Sequence, residues 1–283
     1  MITARIPRHA GRIGVERDMG KFRSVVLLSF ILIAVSSATA QSPIFPQQGA
    51  GGGTREAAEQ LFALTNQARA KHGAAPLQWD GDLAEAARQH CLRMAAEGPI
   101  AHRYAGEADL SERAGQAGAH FSLIEENVAV GPSPAEIHDA WMHSPGHRSN
   151  LLNPAVDRVG IAIVAARGNL YAVADYERGV QELDRAQVES RVAALVAPSG
   201  VNIVRNNGAA REACRLDSGM PSRDAAGMPH FIMRWQDSDL SRLPQALREK
   251  LASGQYRSAE IGSCTAQKMG GDFTTYRVAV LLF

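Results

Sequence analysis

Unbalanced charge, long apolar runs and cysteine are all scarce in this chain of 283 residues. Thirty basic side chains meet 29 acidic ones, a formal net charge of +1. No basic field exists to hold nucleic acid or an anionic membrane surface. The apolar run Val25–Val35 is well short of the ~20 residues that a membrane-spanning helix needs. Three cysteines are present, which satisfies an oxidising compartment only in part. Cys91 shares a helical face with Leu83, Ala87 and Met94 and reads as a buried thiol acting as a small hydrophobe. Cys214 and Cys264 are left as the pair for a disulfide.

Several catalytic patterns are missing too. His143 and His147 are four residues apart, as in H-E-x-x-H proteases, but Ser144 follows His143 and Pro145-Gly146 lie between the histidines. They cannot share a helix face, so the zinc-protease pattern fails. Ser144 near His147 has no Gly-x-Ser-x-Gly elbow around it. Asp237-Ser238-Asp239 lacks the glycine and bidentate glutamate of a calcium loop and reads as a turn. No internal repeat is present.

What is there begins with an export signal. Lys21 and Arg23 precede the apolar run, and Ala38-Thr39-Ala40 follows as an A-x-A cleavage site. Residues 1–40 are expected to be a signal peptide, with Met19 as an alternative start, and the mature chain to be secreted or periplasmic. It would keep no stable membrane span. Residues 41–53, rich in Gly, Pro and Gln, read as a flexible linker.

Thr54 is the expected cap of a first helix that buries Ala57, Leu61, Leu64 and Ala68 and ends at Gly73. Asp80 caps a second, over Leu83, Ala87, Cys91 and Met94, stopped by Gly98-Pro99. Residues 111–117 suggest a short helix, Val128–Val130 a brief strand, and Ser133 the cap of a helix with Ile137, Ala140 and Trp141 inward. Arg158–Ala166 and Leu170–Tyr176 flank Arg167-Gly168-Asn169 as a β-hairpin. From Gly179 the character changes. Helices are expected over 180–196 and 243–252, with strands over 201–204, 231–235, 256–263 and 274–282. The class is α+β, with one unit over 54–178 and a smaller α+β region of unknown type over 179–283.

The densest signal is Trp141-Met142-His143-Ser144-Pro145-Gly146-His147-Arg148-Ser149-Asn150-Leu151-Leu152. Ser-Pro-Gly breaks the incoming helix, so His147 is expected on a turn. Ile100-Ala101-His102 and Glu125-Glu126-Asn127-Val128-Ala129 look toward it. Two imidazoles and a carboxylate from three segments suggest a cleft, with Glu126 at a sheet end. Asn127 is expected to tie backbone across the cleft floor.

This ordered set, with Leu64-Thr-Asn-Gln-Ala-Arg-Ala-Lys-His-Gly upstream and Arg158-Val-Gly-Ile-Ala downstream, resembles the bacterial branch of the CAP superfamily: cysteine-rich secretory proteins, antigen 5 and pathogenesis-related 1, the SCP domain. The resemblance covers residues 56–177. It implies a three-layer α-β-α sandwich around a small antiparallel sheet. It also implies a cleft lined by two histidines and two acidic residues, where the histidines can hold a divalent metal such as zinc. His102 and His147 fall on the histidine positions and Glu126 on the first acidic one. The second is Ser144, a departure that leaves at most a weak zinc site at His102 and His147.

The expected function is an exported, non-enzymatic binding module with no required cofactor. Its cleft, lined by His102, Glu126, Asn127, Ser144 and His147, would take weakly held metal, lipid, peptide or a cell-wall fragment, and not nucleic acid. One alternative is a metal-assisted hydrolase with His102 and His147 activating water and Glu126 as base. Another is a structural adhesion protein with a vestigial cleft.

Overall fold

The computed structural model describes residues 2–5, 52–205, 207–222, 227–268 and 270–283. Apart from residues 2–5, the leader lies outside the described residues, as does the linker up to residue 51.

The N-terminal sheet has the order β1-β3-β5-β4-β2. Its strands are β1 (Ile2–Arg5), β2 (Gln78–Trp79), β3 (Phe121–Gly131), β4 (Arg158–Ala166) and β5 (Asn169–Gly179). Antiparallel pairing links β1, β3, β5 and β4, but β2 runs parallel to β4. The expected antiparallel sheet is therefore mixed. Its short parallel edge is reached through the connector after the first helix, where Asn66 Oδ1 accepts from Leu77 N–H at 2.8 Å and Asn66 Nδ2 donates to Leu77 O at 3.1 Å.

Side chains of successive strand residues point to opposite faces, and both faces are covered. On one face Leu123, Ala129, Val159, Ile161, Ile163, Ala172, Ala174 and Tyr176 pack against α1 (Gly52–Lys71), α4 (Pro134–His143) and α5 (Pro145–Leu151) through Leu61, Ile137, Trp141 and Leu151. On the other, Val128, Ala162, Tyr171 and Val173 meet Ala87, Cys91 and Met94 of α2 (Gly81–Glu97). Ile124 and Phe121 meet Leu83 and Leu110, the last from α3 (Leu110–Ala117). This is the three-layer α-β-α sandwich. Gly160 is what lets α2 lie so close: a Cβ there would fall 2.1 Å from Ala84 N.

Local chemistry sets the element ends. Asp80 accepts from the N–H groups of Asp82 and Leu83, as expected of a cap. Asp109 and Glu112 form a capping box, and Gly118 closes α3 at φ 106°. Arg167 and Gly168, both at positive φ, make the tight turn of the β4–β5 hairpin. Three expectations fail. Thr54 lies inside α1, which starts two residues earlier at Gly52, within the expected linker. Ala140 is exposed. The brief strand at Val128 is the end of an 11-residue strand.

The C-terminal region repeats the layering. Its sheet has the order β6-β8-β9-β7, from β6 (Asn202–Val204), β7 (Phe231–Asp237), β8 (Ser258–Cys264) and β9 (Tyr276–Leu282). Val188, Val192 and Val196 of α6 (Arg185–Val196) and Leu247 and Leu251 of α8 (Gln245–Ala252) cover one face. On the other lies α7 (Gly208–Arg215), a helix that the sequence reading did not contain. Cys214 of α7 is bonded to Cys264 of β8, while Cys91 is free and buried. The segment before β9 returns to the first sandwich. Phe273 packs edge-on against Phe121 at 5.3 Å between centroids, and Thr274 N–H donates to Phe121 O at 2.9 Å.

Candidate functional site

Glu126 lies in the middle of β3, not at a sheet end as expected, and is fully buried. A carboxylate there needs partners to offset its lost hydration. Two are in contact. His102 Nδ1 is 2.8 Å from Oε1, and Arg113 Nη2 donates to Oε2 at 2.5 Å. His102 sits on the irregular segment between α2 and α3 with its ring one-fifth exposed. Arg113 reaches Glu126 from α3 and steadies the same segment by donating to His102 O at 3.2 Å.

His147 comes from the opposite layer. The helix break at Ser144 is as expected, but Pro145 starts α5 at once, so His147 sits on a short helix and not on a turn. Proline suits a first helical position because no partner exists there for a backbone N–H. Asn127, next to Glu126 and on the other face of β3, donates to His147 O at 3.0 Å. Asn150, also on α5, donates to Glu126 O and to Asn127 Oδ1, both at 3.1 Å. One strand thus holds His102 through Glu126 and α5 through Asn127. Burial, and then the charge of nearby His102, hold the His147 imidazole below its ordinary pKa. Ser144 is half-buried and makes no capping hydrogen bond at the start of α5. His143 is exposed, against Asp139 O.

The "Cysteine-rich secretory protein family" model matches residues 62–176. Over these residues the chain is similar to CAP domains. Two Bacillus subtilis (strain 168) proteins are similar to part of this chain. Uncharacterized protein YkwD is 34% identical over 110 residues, 38% of this chain and 42% of its own length. Uncharacterized membrane protein YlbC is 33% identical over 109 residues, 37% of this chain and 31% of its own. This chain thus spans less than half of either relative. A crystal structure of an extracellular protein containing a SCP domain, from Bacillus anthracis str. Ames, is 26% identical with a TM-score of 0.42, covering 44% of this chain and 41% of that one.

Around the CAP cleft the structure adds residues that the sequence reading passed over. His90, on α2, is fully buried, with Nδ1 2.7 Å from Glu107 Oε1 and Nε2 2.9 Å from Ala101 O. It anchors the backbone one residue before His102. Arg113, Glu107 and His90 share no spacing with the motif residues, so only the fold reveals them. Asn150 is different: it stands inside the His-Arg-x-Asn-Leu-Leu pattern and was open to the same reasoning as Asn127.

A zinc ion held by the two CAP histidines does not fit this donor set well. Closed zinc sites use four protein ligands and open ones usually three. Glu126 has both oxygens engaged, and Ser144 offers a hydroxyl where the resemblance implies a carboxylate. Among the described residues no three His, Cys, Asp or Glu side chains converge to hold a metal.

Proposed function

We propose that the chain is an exported binding module whose CAP cleft, between His102 and His147, takes a lipid, peptide or cell-wall fragment without turning it over. No cofactor is required by this reading. The observation that carries it is the state of Glu126. A general base must reach the proton it removes. Glu126 has no exposed surface, gives one oxygen to His102 and the other to Arg113, and so acts as a strut. What remains at the cleft is hydrogen-bonding capacity: the half-buried His147 ring and Ser144. Together they suit recognition of a polar ligand group. Export is supported by the charged start, apolar run and A-x-A site, and no described helix is long and apolar enough to cross a membrane.

The test sets binding against turnover. Exported protein is titrated separately with palmitate, a muropeptide and a short peptide, and product formation is followed in the same tubes. Saturable binding of one probe, weakened by His147→Ala and without product, is expected. Product whose formation stops in Glu126→Gln would instead install the metal-assisted hydrolase.

A further inference from the structure

The outer edge of β3 is plugged at three points. Phe121 O accepts from Thr274 N–H at 2.9 Å, Glu126 O from Asn150 Nδ2 at 3.1 Å and Val128 O from Trp141 Nε1 at 3.2 Å. Such plugs answer a general hazard, because unpaired edge backbone is a template for a further strand. Between the first two of these plugs lies a window, and a strand lies in it. β1 pairs antiparallel with β3 through Ile2–Glu126, Thr3–Glu125, Ala4–Ile124 and Arg5–Leu123. The window therefore admits four extended residues, bounded by Thr274 at one end and Asn150 at the other.

Its position matters as much as its length. Glu126 at one end of the window holds His102 on one face, and Asn150, whose side chain closes that end, belongs to α5, which carries His147. A strand in the window runs along the floor of the cleft between the two histidines. Strand residues alternate in direction. A residue opposite Glu125 stands on the α5 face, where a hollow of about 710 Å³ is lined by Glu125, Arg148, Ser149, Leu152 and Asn153. Residues opposite Ile124 and Glu126 stand on the face of α3 and His102.

We propose that this window is a β-addition site for a four-residue stretch of extended peptide, filled in cis by β1 and open in trans once processing after Ala40 removes β1. The proposal rests on the cleft being a ligand site, and it names the ligand as a peptide. Main-chain hydrogen bonds would supply most of the affinity, and the hollow beside Glu125 the selectivity at one position.

The test is hydrogen exchange at the Ile124 and Glu126 amides. Protein recovered after export is mixed with a synthetic peptide of sequence Met-Ile-Thr-Ala-Arg-Ile. Slowing of about tenfold or more is expected at those amides. Only alternate residues of an added strand face β3, so N-methylation of every second residue should abolish the slowing in one phase and spare it in the other. No slowing, or equal behaviour in both phases, overturns the proposal. In the unprocessed chain the same amides should be slow without peptide, and Thr3→Pro with Ala4→Pro should release them. Amides that are fast in the unprocessed chain count against the cis strand. The two readings fail separately. Palmitate or muropeptide binding that shifts both histidines without protecting β3 sinks the window alone. β3 protection by peptide with both histidine signals unmoved sinks the histidine cleft and leaves the window.

Discussion

Asp175 stands directly across the sheet from Glu126, in register on β5, and both are fully buried. Two carboxylates so placed cannot both ionise at small cost. Burial, and then the Glu126 charge, push the Asp175 carboxyl well above its ordinary range, with Arg113 pulling the other way. Glu126 is engaged by His102 and Arg113, so the proton-holding tendency of the pair falls on Asp175. Asp175→Asn, which retains shape without a charge, is expected to fold with wild-type stability or better at neutral pH. Asp175→Ala should be less stable than Asp175→Asn. Urea denaturation of both variants at pH 7 checks this.

Glu177, on the same face two residues on, gives a pH signature. Burial first, and then Asp80, push its carboxyl up to about 8, against the pull of Arg158. The unfolded chain releases that proton near pH ~4.3. Between those values the folded state holds more protons, so stability falls as pH rises. At ~1.4 kcal/mol per unit the loss is on the order of a few kcal/mol. Glu177→Gln should track the wild type at pH 4 and exceed it in melting temperature at pH 8. Identical pH profiles would mean that Glu177 ionises in the fold.

The C-terminal disulfide closes a loop of 50 residues. The chain-entropy model assigns such a closure about 4 kcal/mol. Cys214→Ala with Cys264→Ala should lower the stability of the C-terminal region by an amount of that order. Cys91 should stay unreactive to thiol reagents in the native protein: it is buried, its thiol is pushed up to about 12 by burial, and its Sγ donates to Tyr171 O.

Much of this was legible in the sequence, and the reasons differ by element. The β4–β5 hairpin announced itself because Arg167-Gly168-Asn169 stands between two apolar β runs, and Gly168 takes positive φ without cost. The face of α2 followed from its period, and the cap at Asp80 from chemistry. β3 was cut short because Glu125-Glu126-Asn127 interrupt its apolar pattern. Those polar residues are tolerated in mid-strand only because Asn153, Arg113, His102 and Asn150 come from distant segments to meet them. α7 was missed because its buried face is Ala209, Ala210, Ala213 and Cys214, too small to mark a period. The site histidines came from motif spacing. The Glu126–Arg113 and Asn150–Asn127 contacts that hold them are tertiary and leave no local trace.

Asn150 is the prediction that follows. Its side chain is buried and serves two acceptors at once. Asn150→Ala leaves Glu126 O and Asn127 Oδ1 short of a donor, at a cost of about 2 kcal/mol. It should also loosen α5, so that the His147 imidazole signal broadens or moves. A shift confined to stability, with His147 unchanged, would mean that α5 is held by its apolar contacts alone.

Zinc separates a two-imidazole site from a built one. Calorimetry at pH 7.5 should give a dissociation constant no tighter than about micromolar, lost in His102→Ala and in His147→Ala. Neutral imidazole is the ligating form, so affinity should fall as pH drops below ~6.5, the ordinary histidine value. Nanomolar binding, or binding that survives both substitutions, would require ligands that these contacts do not supply.

The most direct test of the central claim is the ¹⁵N imidazole spectrum of the exported protein during titration with palmitate, a muropeptide and the Met-Ile-Thr-Ala-Arg-Ile peptide. The free protein should show a proton on His102 Nδ1, shared with Glu126. One probe should then shift His102 Nε2 and the His147 ring together, saturably and with no product released. A free-state His102 with no proton on Nδ1, or product accumulating as the signals move, would contradict a binding cleft braced by Glu126.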